Sequence, residues 1–134
     1  MKPVKQKDFL GCAVACVAFI VQADYEQSLL LFKNGRKKAS AAGFICREIV
    51  TALNLAGLMF EYKYIKGKNR NRMYRANTIV FLRRSKRYPK GHFLVRSKNK
   101  KWMDPWINFP DEEIEADYRE RLPEKPIYAV FPIH

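Results

Sequence analysis

The sequence has few of the residues that would cross-link the chain or anchor it in a membrane. It contains three cysteines, an odd number, which argues against a disulfide framework and favours a reducing compartment. The longest apolar run, Cys12–Val21, is too short to span a bilayer and lacks the small-residue cleavage pattern of a secretory signal. We therefore expect a cytoplasmic protein without a transmembrane segment.

Acidic residues are scarce, and the basic excess is concentrated in one part of the chain. The formal net charge is +13, and fifteen Lys or Arg but a single acid lie between Glu61 and Lys101. Residues 111–124 reverse this balance, with seven acids and two bases. The basic region Lys63 to Lys101 would attract an acidic partner or nucleic acid, or an anionic membrane. Solubility, or neutralisation by the acidic segment, would explain the same charge.

Repeats and low-complexity linkers are absent, and 134 residues suit one domain, 1–134. The apolar run predicts a buried helix, because its alanines favour helix and no face of it is polar. We expect a second helix at Tyr25–Phe32, capped by Asp24, and a third from Phe44 to Leu55, ended by Gly57. Residues 36–40 between them are predicted as a basic loop.

The second half of the chain shows the patterns of strands. Alternation over Leu58 to Ile65 indicates the first strand, and a basic turn at Lys66–Asn71 follows. Further short strands are predicted at Thr78–Leu82, His92–Val95, Trp102–Met103 and Ile127–Phe131, with a hairpin turn at Ser97–Lys101. Helices first and strands afterwards predict an α+β fold, in which the N-terminal helices pack on an antiparallel sheet.

Two side chains could together form a nucleophilic site. Cys12 begins the predicted buried helix, where unpaired backbone N–H groups and the helix dipole would stabilise a thiolate or an oxyanion. His92 begins a strand, and the other histidine is the C-terminal residue. A thiol needs an imidazole within reach to act as a nucleophile, and His92 is the plausible candidate. Taken alone, each is more often a core residue.

Two further residues could complete that site. Asp104 ends the strand that pairs with the His92 strand, so the hairpin could bring its carboxylate back to orient the imidazole. Gln6 lies six residues before Cys12, where its amide could donate to an oxyanion. A strand-ending turn and a solvent-exposed glutamine are the ordinary alternatives for these two residues.

The other cysteines carry no comparable signal. Cys16 lies four residues after Cys12 on the same helical face, and Cys46 falls in the third helix, so both are expected in the core. There is no CxxC pair, and no fourth ligand is evident beside Cys12, Cys16 and His92. We therefore expect no metal and no cofactor.

The order and spacing of these residues resemble those of a known family. The segment Gln6–Cys12, the pair Gly91–His92 and the pair Asp104–Pro105 resemble the motifs of C39-type, papain-like cysteine peptidases. This family includes the bacteriocin-processing peptidase domains attached to ABC exporters, and free-standing relatives. Gly11 stands where exporter-linked members often carry an acid, and Ala13 replaces their usual glycine. The resemblance spans essentially the whole chain.

The resemblance implies a papain-like peptidase fold and a thiol hydrolase that cleaves a peptide or amide bond in a peptide or protein substrate. It implies that Cys12 is the nucleophile, His92 the base, Asp104 the residue that orients His92, and Gln6 an oxyanion donor. A non-catalytic basic module that binds nucleic acid or an acidic leader peptide on the same fold is the alternative. The basic residues interleaved with tyrosines favour that alternative.

Overall fold

A computed structural model describes residues 2–133, and the two ends of the predicted domain, Met1 and His134, lie outside the described residues. The helices are α1 Cys12–Val21, α2 Tyr25–Leu29, α3 Gly35–Ala41, α4 Cys46–Leu55 and α5 Asn69–Arg72. The strands are β1 Phe60–Tyr64, β2 Ile79–Leu82, β3 His92–Arg96, β4 Trp102–Asp104, β5 Asp117–Arg119 and β6 Pro126–Pro132.

The strands form one antiparallel sheet in the order β1-β6-β2-β3-β4-β5. Successive residues of β6 lie on opposite faces of the sheet. Val130 belongs to the core cluster that contains the residues of α1 and α4, whereas Ala129 and Phe131 belong to a second cluster on the other face. Met73, Tyr88 and Trp102 are part of that second cluster. The predicted α+β architecture, with N-terminal helices on an antiparallel sheet, is confirmed.

Helix α1 is the centre of the helical layer. Its residues from Ala13 to Ile20 are all buried, as the absence of a polar face predicts. It packs against α2, α4 and β3, the strand that begins with His92. The small side chains of α1 let these elements approach closely, and the first residue of the helix, Cys12, lines the same groove as the first residue of β3.

Four local predictions differ from the structure. Residues 36–40, predicted as a loop, lie in α3, because Arg, Lys and Ala are good helix formers and Ala39 is buried. The predicted turn at Lys66–Asn71 contains the start of α5, and the second helix ends at Leu29 rather than at Phe32. Strand β5 was not predicted, because its segment is short and acidic and gains its hydrogen bonds only from β4.

The remaining boundaries follow the sequence closely. Asp24 caps α2 with a reciprocal bond to Gln27, and Gly57 follows α4 with a φ of 86°. The hairpin turn at residues 97–101 joins β3 to β4. All three cysteines are free. Among residues 2–133 the longest helices, α1 and α4, have ten residues each, and none is long and apolar enough to cross a membrane.

A close contact at Gly11 fixes the start of α1. A Cβ at this position would overlap the hydroxyl oxygen of Tyr25, which donates to the Asp8 carboxylate at 2.8 Å. Arg36 binds the same carboxylate at 2.9 Å. The φ of Gly11 is −93°, so the backbone conformation does not require glycine. The requirement comes from the close contacts, of which the one with Tyr25 is the shortest.

We expect Gly11→Ala to lower the free energy of unfolding by about 1–3 kcal/mol, because the added methyl group overpacks the contact with Tyr25. Urea denaturation measures this change. The control is the same substitution in a Tyr25→Phe background, where the overlapping oxygen is gone and the cost should be smaller. Equal costs in both backgrounds would contradict this explanation.

Candidate active site

Cys12 is the first residue of α1 and is half-buried. Gly11 offers no side-chain cap, so the first N–H groups of the helix have no partner within the helix. These donors and the positive end of the helix dipole lie at the thiol. Cys12 lines a groove of about 820 Å³ that is also lined by His92. The two side chains therefore face the same open space.

His92 begins β3, and its ring is almost completely buried. Its Nε2 lies 2.6 Å from Oδ1 of Asp104, and its ring stacks on Tyr88 with centroids 4.7 Å apart and an interplanar angle of 7°. Burial alone would lower the pKa of His92, but hydrogen bonds to Asp104 and to the Cys12 thiol, with the charges of both groups, raise it to about 9. The ring therefore favours the protonated form at neutral pH.

Asp104 is fully buried and has all of its hydrogen-bond partners inside the protein. Oδ1 accepts from His92 and, at 3.0 Å, from the backbone N–H of Trp106, while Oδ2 accepts from Arg119 at 2.9 Å. Burial favours the neutral acid, yet these hydrogen bonds and the charge of His92 hold the pKa of Asp104 below its usual value. Asp104 is thus a carboxylate hydrogen-bonded to one side of the ring.

The structure therefore brings Cys12, His92 and Asp104 together. Because Nε2 of His92 faces Asp104, Nδ1 is the ring nitrogen left for the thiol. A thiol, an imidazole and an orienting carboxylate in this order can perform nucleophilic attack on a carbonyl carbon and the proton transfers that follow. The other thiols differ: burial raises the pKa of Cys16 well above its usual value and that of Cys46 to about 11.

Gln6 packs against the loop that precedes Cys12. Its Nε2 donates to the backbone carbonyls of Asp8 and Phe9, both at 3.0 Å, and its backbone N–H donates to Pro105 at 3.2 Å. Gln6 is buried, and its Oε1 has no hydrogen-bond partner among residues 2–133. The structure thus places Gln6 beside the loop before Cys12 and next to the end of β4, with its amide nitrogen occupied by the loop.

Two residues of the site were not predicted from the sequence. Arg119 lies in β5, where the pairs Asp104–Asp117 and Trp102–Arg119 make it a diagonal neighbour of Asp104. Tyr88 reaches His92 because a turn, closed by a bond from the N–H of Gly91 to the carbonyl of Tyr88, folds the chain back. The turn signal of Pro89 and Gly91 could have indicated Tyr88, whereas Arg119 depends on the missed strand.

Metal binding has no support from the side chains of this site. Among the residues that the structure describes, no group of three or more His, Cys, Asp or Glu side chains is arranged to hold an ion.

We expect Asp104→Asn to lower the pKa of His92 from about 9 to near or below its usual value. An amide lacks the negative charge that offsets burial of the ring, and burial favours the neutral imidazole. NMR titration of the ring signals measures this change, and a Gln variant of the C-terminal histidine assigns them. An unchanged titration of His92 would show that Asp104 does not set its protonation.

Comparison with known proteins supports the same architecture. No protein-family model matches the sequence. No curated protein matches it either. The fold is similar to the crystal structure of the peptidase domain of Streptococcus ComA, a bi-functional ABC transporter involved in a quorum-sensing pathway. The TM-score is 0.56 and the sequence identity 23%, over 97% of this chain and 96% of that one. The chain therefore has the fold of that peptidase domain, in keeping with the resemblance seen in its motifs.

Proposed function

We propose that residues 1–134 form one peptidase domain and that the protein is a cysteine peptidase acting on a peptide or protein substrate. The observation that carries this proposal is the buried His92–Asp104 pair, with the thiol of Cys12 beside the same ring in the groove that both line. An imidazole that served only in the core would not need a carboxylate on one side and a thiol on the other.

The proposed reaction has two stages. The Cys12 thiolate attacks the carbonyl carbon, and the proton that His92 holds passes to the leaving amine as the carbon–nitrogen bond breaks. A thioester remains on Cys12. His92 then takes a proton from water, which attacks the thioester, and the acid product leaves as the carbon–sulfur bond breaks. Asp104 holds the ring in orientation throughout, and no step needs a metal or a cofactor.

The oxyanion of each stage requires hydrogen-bond donors. The backbone N–H of Cys12, at the start of α1, is one donor. We propose Gln6 as the second, which requires that one of its two N–H groups leaves the carbonyl of Asp8 or Phe9 when substrate enters. On this proposal the Gln6 donor becomes available only when substrate binds, because both of its N–H groups are otherwise bonded to the loop.

The first test is reaction of the folded protein with iodoacetamide. We expect Cys12 to react faster than a free thiol at neutral pH, and His92→Ala to slow it, because the ring stabilises the thiolate. Mass analysis separates Cys12 from Cys16 and Cys46, which serve as buried internal controls. A mixed peptide library, with Cys12→Ala as the control, then identifies cleavage. An ordinary rate at Cys12 that His92→Ala leaves unchanged would end the enzymatic proposal.

A second test concerns Gln6. We expect Gln6→Ala to lower kcat for peptide cleavage by about 10²–10³-fold, the usual effect of losing one oxyanion donor. The rate of alkylation by iodoacetamide should change little, because displacement at a saturated carbon forms no oxyanion. If cleavage and alkylation fall together, Gln6 acts by holding the loop before Cys12 and is not an oxyanion donor.

Non-catalytic binding is the second candidate function. The observation that favours it is the excess of basic residues in the region Lys63 to Lys101, next to the exposed side chains of Tyr62, Tyr64 and Tyr74. Such a module would bind nucleic acid or an acidic partner with a steep dependence on salt, and Cys12→Ala would leave the binding unchanged. The same iodoacetamide measurement separates the two candidates.

A further inference from the structure

The groove beside Cys12 and His92 is lined by an unusual number of cations. Among the described residues, the groove has one acidic side chain, Glu48, and five basic side chains: Lys38, Arg47, Arg83, Arg84 and Lys90. They come from α3, from α4, from the residues just after β2 and from the turn before His92, so four places along the chain converge on one cleft. A cleft lined by charges of one sign concentrates its field on whatever enters.

Three of these cations are not neutralised by the protein. Lys38 pairs with Glu48, and Arg83 pairs with Glu124 at 2.9 Å. Among residues 2–133, Arg47, Arg84 and Lys90 have no ion-pair partner, and all three are exposed. The groove therefore presents a net positive charge that a ligand could neutralise.

The rest of the groove is apolar. Phe44 is buried and contacts Phe32, while Phe81 packs on Phe93 with ring centroids 4.9 Å apart. Tyr128, which also lines the groove, packs against Tyr64 with ring centroids 4.6 Å apart. A surface of aromatic rings bordered by free cations fits a chain that carries both carboxylates and an apolar side chain.

The cations are also close to the reacting groups. Lys90 is separated from His92 only by Gly91, whose φ is 75° and whose position is so tight that a Cβ would overlap the ring of Phe81. The tight packing of Gly91 thus fixes the backbone between Lys90 and His92, and both residues line the groove. If the scissile bond of a bound peptide lies at Cys12, a peptide residue only a few positions from that bond would lie next to Lys90.

We propose that the groove selects an acidic peptide, with Glu or Asp near the scissile bond held by Arg47, Arg84 and Lys90 and an apolar side chain on Phe44 and Phe81. This inference rests on the proposed peptidase function. Exposed charge pairs are screened and individually weak, so the three cations act together and affect binding more than chemistry.

The experiment starts from a peptide that wild-type protein cleaves and Cys12→Ala does not. Replacing its Glu residues with Gln should raise KM about tenfold, the combined effect of a few exposed ion pairs, with little change in kcat. The triple variant Arg47→Gln, Arg84→Gln, Lys90→Gln should remove this preference for Glu. The matched control, Lys66→Gln, Arg70→Gln, Arg75→Gln, makes the same change in net charge at exposed positions outside the groove and should retain the preference.

A binding measurement keeps the inference testable without turnover. A fluorescent oligo-glutamate peptide should bind Cys12→Ala protein at low salt, and the groove triple variant should lose that binding while the control variant keeps it. Absence of any Cys12-dependent cleavage would refute the proposed peptidase activity. The binding measurement would then decide alone whether the groove selects acidic peptides. Equal cleavage of Glu and Gln peptides, or equal loss in both triple variants, overturns the inference. If the protein binds single-stranded DNA and not the oligo-glutamate peptide, and only the control variant loses the DNA binding, the inference about the groove is also overturned.

Discussion

The hydrogen bond between His92 and Asp104 is the interaction on which the site depends. Both side chains are buried, and a buried charge is costly unless its partners satisfy it. The protein meets this requirement with two more donors to the carboxylate, the N–H of Trp106 and the guanidinium of Arg119. Removing one partner of such a buried pair typically costs about 3–5 kcal/mol, so the pair constrains the fold as well as the chemistry.

The sheet supplies the geometry that this pair needs. Register between β3 and β4 places Val95 opposite Met103, and the hairpin therefore brings Asp104 back toward the start of β3. Beyond β4, the edge strand β5 adds Arg119, which neutralises the second carboxylate oxygen. On the other side, Tyr88 covers the ring face and keeps it from solvent. The position of the imidazole is thus determined by three strands and one turn.

The sequence predicted the parts of the site that depend on local pattern. Cys12 begins α1 as expected, because a run of small apolar residues can only be a buried helix or strand and alanine favours helix. His92 and Asp104 were placed near one another because a short turn between two apolar segments predicts a hairpin. These placements concern position, and the roles of the residues stay proposals.

What the sequence did not predict depends on contacts between distant segments. Arg119 lies in an acidic stretch whose strand exists only because β4 offers it an edge, so no local pattern marks it. The basic residues of α3 suggested a loop, although the burial of Ala39 against the core makes the segment helical. The hydrogen bonds from Gln6 to the carbonyls of Asp8 and Phe9 could not be predicted either, because the spacing between Gln6 and Cys12 does not indicate which acceptors the amide binds.

The distribution of charge follows from the same topology. Among the described residues, the ion pairs Arg83–Glu124 and Lys101–Glu120 join the acidic segment 111–124 to the basic region. The acidic segment follows β4 and forms β5 at one edge of the sheet, and among the described residues it makes no ion pair with Arg47 of α4 or with Lys90 of the turn before β3. Those cations repel one another, and a carboxylate that entered the groove would relieve the repulsion. The separation of charge along the chain is thus kept in space, and it is kept at the groove that contains the thiol.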